Sequence, residues 1–157
     1  MSITKILSSK SVGNFAMDLK FHHINLVSKN LDELNNFYNN ILGLESLSPD
    51  NFLRTQSSDK KGYSGKIKFV SDGNIQMHLA EKDLNVAAEN KQFLNPVERG
   101  HLAFRTDNIE KIKQILKKNN IQYADYGNAF SKEWHQIFFH DPEGNVIEVH
   151  QEILKEK

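Results

Sequence analysis

Four side chains stand in segments of strand character at places where a buried strand ordinarily carries apolar groups: His23, His78, His101 and Glu148. Three imidazoles and a carboxylate form a donor set suited to a divalent first-row metal. The sequence has no cysteine, which excludes thiolate metal sites, disulfides, iron–sulfur clusters and thiol nucleophiles. None of the four belongs to a local metal-binding motif. Their joint use depends on elements far apart in the sequence.

Those elements read as one pattern written twice. Residues 21–27 (FHHINLV) are rich in β-branched and aromatic types and predict a strand. Asn30 then precedes Leu31, Leu34, Phe37, Tyr38, Ile41 and Leu42, apolar residues at helical offsets. Asn is a good N-cap because its side-chain oxygen accepts from an orphan backbone N–H, and Gly43 stands where this helix ends. A polar stretch with Pro49, Ser57, Ser58 and Gly62 predicts a strand end and a loop. Residues 66–70 alternate polar and apolar, Asp72 and Gly73 give a hairpin signal, and residues 75–80 (IQMHLA) return. In the second half, residues 101–106 (HLAFRT) read as a strand. Asn108 caps a helix carrying Ile109, Ile112, Ile115 and Leu116, and Asn119 with Asn120 end it. Residues 121–126 read as a short strand, 134–139 (WHQIFF) as another, and 146–150 (VIEVH) as the last, after the tight turn Asp141-Pro142-Glu143-Gly144.

Adding 78 to a residue number maps His23 onto His101, Leu26 onto Phe104, Asn30 onto Asn108, Leu31 onto Ile109 and Leu34 onto Ile112. The expected fold is therefore α+β, two tandem βαβββ modules. An N-terminal arm covers 1–18, the first module 19–81, a linker with a short helix near 86–89 covers 82–97, the second module 98–152, and a tail 153–157.

In that frame His23 and His101 open the first strand of each module, while His78 and Glu148 lie in the last. Packing about a pseudo-twofold axis would bring all four to one point. The hairpins do not match to the residue: His78 lies five after Gly73, and Glu148 four after Gly144. A slip of one residue reverses the face a strand side chain uses, so Gln76, on the face of His78, is the alternative at that position. A lone strand histidine is ordinarily structural, and Glu148 between Ile147 and Val149 could by itself be a solvent-facing residue of an alternating strand. The four-way correspondence is what sets these residues apart. His22 is expected on the opposite face from His23. His140 reads as a turn residue, His135 has no partner in the repeat, and His150 shares the face of Glu148, either beside the site or beyond it.

Four stretches, HHINLVSKNLDELNNFYNNILGLE (22–45), IQMHLAE (75–81), GHLAFRTDNIEKIKQIL (100–116) and HQIFFHDPEGNVIEVHQ (135–151), resemble the vicinal oxygen chelate superfamily, the glyoxalase/bleomycin resistance protein/extradiol dioxygenase group. The FYxxxLGL and DPxGNxIE signatures carry the resemblance, and together the stretches span nearly all of 19–152. It implies a half-open barrel around one divalent metal (Ni, Co, Zn, Mn or Fe), with His23, His78, His101 and Glu148 at the ligand positions. It also implies a small substrate that offers the metal two adjacent oxygens, with Glu148 able to act as a base. The first expectation is a glyoxalase I-like lyase or isomerase. The alternatives are a metal-dependent thiol transferase that inactivates an antibiotic, a non-enzymatic drug-binding protein, and an extradiol dioxygenase, for which a third histidine would occupy a position that substrate or oxygen needs.

The remaining features set outer bounds. The 157 residues suit one domain. Lys and Arg total 20 and Asp and Glu 20, which argues against a broad nucleic-acid surface. No stretch is apolar enough to span a membrane, and the absence of cysteine fits a cytoplasmic protein. The Ser- and Lys-containing start reads as a surface arm, with an organellar presequence as the other reading. Open sheet edges predict a homodimer. Arg105, on the face of His101, is a candidate for an anionic substrate group, with Gln76 a second candidate contact. Arg54 and Tyr63 lie in the variable loop, a candidate cover for a ligand. Trp134, Phe69, Phe104, Phe138 and Phe139 are either core or pocket wall.

Overall fold

The computed structural model describes residues 18–55 and 61–153. The predicted arm up to residue 17, Ser57, Ser58 and the tail from residue 154 lie outside them. Eight strands form one sheet: β1 (Lys20–Ser28), β2 (Glu45–Ser46), β3 (Ile67–Ser71), β4 (Gln76–Glu81), β5 (His101–Arg105), β6 (Tyr123–Gly127), β7 (Trp134–His140) and β8 (Val146–Glu152). Helix α1 (Leu31–Asn36) follows β1, α2 (Val86–Glu89) lies between the modules, and α3 (Ile109–Lys118) follows β5. The strand order is β2-β3-β4-β1-β5-β8-β7-β6, the same sequence of elements read outward from the central β1/β5 pair. That pair is antiparallel, whereas β1/β4 and β5/β8 are parallel. This is the paired βαβββ architecture read from the sequence.

Both predicted caps form. Asn30 Oδ1 accepts from Glu33 N–H and Asn108 Oδ1 from Lys111 N–H. The first helix stops being α-helical earlier than its apolar pattern predicts. After Asn36 it widens to a π-helical turn over Phe37–Ile41, leaving Phe37, Ile41 and Leu42 exposed. This segment is rich in asparagine, whose amides compete with the backbone ladder. Asn39 Nδ2 donates to Leu44 O and Asn40 Nδ2 to Asn36 Oδ1. In the second half, β6 begins two residues later than predicted. Ile121 N–H is spent on Leu116 O, closing α3 through Asn120 at φ 56°, so the chain is extended only from Tyr123.

Register settles the hairpin question. Asn25 pairs with His78, and Ala103 pairs with Glu148. Since 25 + 78 = 103, His78 and Glu148 stand opposite corresponding residues. The last pairs before the turns are Ser71 with Gln76 and His140 with Val146. They leave four residues (72–75) in one turn, two of them after Gly73, and five (141–145) in the other, one of them after Gly144, and this difference behind the glycine is the one-residue offset.

One expectation is overturned. His22 was assigned to the face opposite His23, but β1 carries a bulge there: Phe21 pairs with Phe104 and His23 with Ala103, so two residues oppose one. The extra residue breaks the alternation, and His22 Nδ1 lies 2.9 Å from His23 Nδ1.

Three apolar clusters hold the frame. Ile109, Ile112 and Leu116 of α3 pack on Ile137 and Val149. Leu31 packs with Val70 and Leu79 under α1. Val86, Leu94, Val97, Tyr126, Phe130 and Phe138 close one end of the trough. Phe104 and Phe139 belong to the α3 cluster, so of the aromatic residues with open assignments these two are core.

Candidate metal centre

The four candidate ligands come from β4, β1, β5 and β8, the four central strands. His23 and Glu148 are each 1% exposed and His78 5%, while His101 is half-buried. His101 Nε2 lies 2.9 Å and His23 Nε2 3.7 Å from Glu148 Oε2. One ligand atom from each of these three residues falls within 4.8 Å of the other two, near the separation of at most about 4.4 Å that ligands at about 2.0–2.2 Å from one ion require.

Proton accounting shows why the set fits a cation. His101 Nδ1 is 2.9 Å from the Pro96 carbonyl oxygen, which has no proton to give, so Nδ1–H donates. In the neutral ring Nε2 then carries a lone pair, and it faces a carboxylate oxygen at 2.9 Å. Two acceptors this close repel unless a positive charge serves both, either a proton or a metal ion they share. When the His23 Nδ1 proton is given to His22, the His23 Nε2 lone pair is free in the same way.

The other carboxylate oxygen is fully occupied. Glu148 Oε1 accepts from Gln136 Nε2 at 3.1 Å and from His150 Nδ1 at 2.8 Å. Arg105 fixes that tautomer, because its Nε–H donates to His150 Nε2 at 3.0 Å. Arg105 is held in turn by Glu152 and lies with its guanidinium carbon 5.2 Å from the Trp134 ring centroid. His150 stacks on Trp134 with centroids 4.3 Å apart. A chain of donors thus runs from Arg105 through His150 to Glu148, leaving Oε2 as the carboxylate's free face. Full burial works to raise the Glu148 carboxyl pKa, but the hydrogen bonds from His101 and His150 outweigh it and hold it well below the usual carboxylate range. Burial pushes the His78 imidazole down to about 3. Burial, with the charges of His150 and Arg105, pushes His22 down to about 4. Both rings favour the neutral form.

His78 adjoins the trio without joining it. Its ring lies flat on that of His23, centroids 3.7 Å apart and 15° between planes, and its Nε2 is 3.5 Å from Gln76 Oε1. The cavity at the trio is lined also by Asn25, Arg54, Tyr63, Gln136 and Phe138. Arg105, Gln76 and His22 line a neighbouring hollow instead, with Phe69. Phe52, His78 and Trp134 line both and form the partition. Asn25 and Gln136 were missed in the sequence, although period-two parity with His23 and with Trp134 marks both as facing inward. Nothing local in the sequence announces the bulge that redirects His22.

Known proteins share this architecture. The chain is similar to Glyoxylase I 4 of Arabidopsis thaliana, 25% identical over 144 residues, covering 89% of this chain and 75% of that protein. Among solved structures it is similar to a hypothetical protein from Bacillus halodurans C-125, with TM-score 0.60 and 21% identity over 89% of this chain and 99% of the other. It is also similar to methylmalonyl-CoA epimerase from Mycobacterium tuberculosis, with TM-score 0.58 and 13% identity over 92% and 95%. At these identities the solved structures speak to the fold. The sequence profile of the Glyoxalase/Bleomycin resistance protein/Dioxygenase superfamily matches residues 20–149, a span that runs from the start of β1 into β8 and takes in every residue of the trio, and the chain belongs to that superfamily.

Proposed function

We propose that this chain is a metal-dependent lyase or isomerase of the glyoxalase I type, acting on a small substrate with two adjacent oxygens. The observation that carries the reading is the convergence of His23 Nε2, His101 Nε2 and Glu148 Oε2, with the second carboxylate oxygen already saturated. His23, His101 and Glu148 hold the metal, and His78 completes the set by turning its ring off His23. A bound divalent cation supplies a Lewis acid that acidifies the C–H beside a chelated carbonyl. Glu148 would release the cation to His23, His78 and His101, take that proton at Oε2 and return it to the neighbouring carbon, so no electron acceptor is needed. Gln136 and His150 hold the carboxylate through Oε1 during the transfer.

The test is elemental analysis of untagged protein, followed by a metal-reconstituted screen against methylglyoxal–thiol adducts. Near-stoichiometric metal in the parent and its loss in His101→Ala support the reading. Equal metal in both sinks it.

A second reading rests on the same trio. Two histidines and one carboxylate, with His78 stacked to one side, are the donor types with which non-haem Fe(II) oxygenases would hold their metal. Ring cleavage of a catechol by the Fe(II)-loaded protein alone would favour it. Antibiotic-modifying and drug-sequestering roles have no supporting feature of their own. We extend the proposal to a homodimer, supported by the unpaired outer edges of β2 and β6. A single 18.1 kDa species in light scattering would remove it. Among the described residues no helix is long and apolar enough to cross a membrane.

A further inference from the structure

Arg54 lines the same cavity as the trio, yet the chemistry proposed above makes no use of it. It is half-buried. Its Nη2 donates to the Tyr63 carbonyl oxygen at 2.6 Å, and its guanidinium carbon lies 5.2 Å from the centroid of the Tyr63 ring. Tyr63 is tied down in turn by its hydroxyl, which donates to the Glu81 carbonyl. The guanidinium is thus held in place, but among the described residues no carboxylate pairs with it. Arg105 is the contrast: it is consumed by Glu152 and His150. Burial pushes the Arg54 pKa down, as it does for a cation lacking a counter-charge. A guanidinium has five N–H donors in a planar fork matched to a carboxylate, and this one spends few of them.

Charge accounting extends the point. Among the described residues the lining holds one carboxylate and one guanidinium, Glu148 and Arg54, among imidazoles and apolar walls that include Phe52, Phe130, Trp134 and Phe138. A divalent cation on the trio would leave two positive charges uncompensated where the dielectric is low. A ligand with two negative charges, one at each end, restores neutrality. Two buried acceptors in the same lining also lack donors, Asn25 Oδ1 and Gln136 Oε1. The Gln136 amide cannot be turned over, because its Nε2 donates to Glu148. Its oxygen therefore awaits a donor, as a substrate hydroxyl would be.

We propose that the substrate is a small diacid bearing a hydroxyl or carbonyl next to one carboxyl group. Those vicinal oxygens face His23, His101 and Glu148, and the second carboxylate seats on Arg54. This rests on the metal reading above and narrows it: the reacting molecule is a compact dianion rather than a neutral adduct.

The experiment compares malate and 2-hydroxyglutarate with 2-hydroxybutyrate and 2-hydroxyvalerate, which replace the far carboxylate by methyl. Binding is followed by the Co(II) absorption band of the loaded protein and by thermal shift of the metal-free protein, at fixed ionic strength. One or both diacids are expected to bind at least about tenfold more tightly than the methyl counterpart. Arg54→Gln abolishes that preference, Arg54→Lys keeps part of it, and Arg99→Gln, at an exposed arginine outside the cavity, leaves it intact. Co(II) uptake is unchanged in all three variants. No preference in the parent, or a preference that survives Arg54→Gln, overturns the assignment. Failure to bind Co(II) refutes the metal reading instead, and the Arg54-dependent preference of the metal-free protein then decides this one by the same criterion.

Discussion

In the second module helix α3 runs ten residues and buries Ile109, Ile112, Lys113 and Leu116. In the first, α1 runs six and buries only Leu31 before it widens. The ion pairs follow suit. Lys113 of α3, buried, reaches Glu110 and Asp125 at 2.8 Å each, whereas the half-buried Lys68 meets an Asp32 of α1 that lies largely in solvent, where a pair is worth little. The candidate site shows the same inequality. Glu148 is fixed by Gln136 and by His150 backed by Arg105, while its counterpart His78 has one long contact to Gln76 and a stacked ring. The duplicated plan is thus built unequally: the second module holds Glu148 through several partners, and the first holds His78 through fewer.

This contrast can be broken or sharpened by measurement. The largest effect is expected from Glu148→Gln, which should lower metal affinity at least a hundredfold in a competitive chelator titration; a smaller loss would move the anchor elsewhere. Next, His150→Phe keeps the stack on Trp134 but removes the bond to Glu148, and should cost about 10–100-fold in metal affinity. His78→Ala should cost less than this, even though His78 is a candidate ligand. The reverse order would mean that the first module carries an equal share.

Stability should divide the same way. Ile112→Ala, a large-to-small change in the α3 cluster, is expected to cost about 2–4 kcal/mol in urea unfolding. Leu34→Ala, at a half-buried position under α1, should cost about 1 kcal/mol. Equal losses would erase the difference between modules. The smallest effect is on pH dependence. His22 and His78 have folded pKa values near 4 and 3, below the unfolded value of about 6.5. The unfolded chain therefore binds more protons in between, and stability is complete above pH 6.5 and falls as the pH drops towards 4. For metal-free protein this should appear as a lower melting temperature at pH 5 than at pH 7, and the decline should be shallower in His78→Phe.

Much of this frame is legible in the sequence because it depends on local chemistry repeated at a fixed offset. Asn30 and Asn108 as caps, the paired strands and the correspondence of His23 with His101 follow from residue type and spacing alone. What escaped depends on backbone irregularity or on partners distant in sequence. The bulge at His22 leaves no compositional trace. The early end of α1 is a contest between asparagine amides and the helix ladder, which an apolar pattern does not register. Arg105 has the parity of a substrate contact, but its role is decided by His150 and Glu152, more than forty positions away. The hairpin offset conflicts with the repeat only until register shows where the glycine sits within each turn.

The single tryptophan of the chain is stacked on His150 and lines the wall shared by the two hollows. Its indole is therefore a built-in fluorophore at the chemical centre. Quenching by a loaded transition ion, or a shift in emission as a ligand displaces solvent, would report occupancy in unlabelled protein without any enzymatic assay.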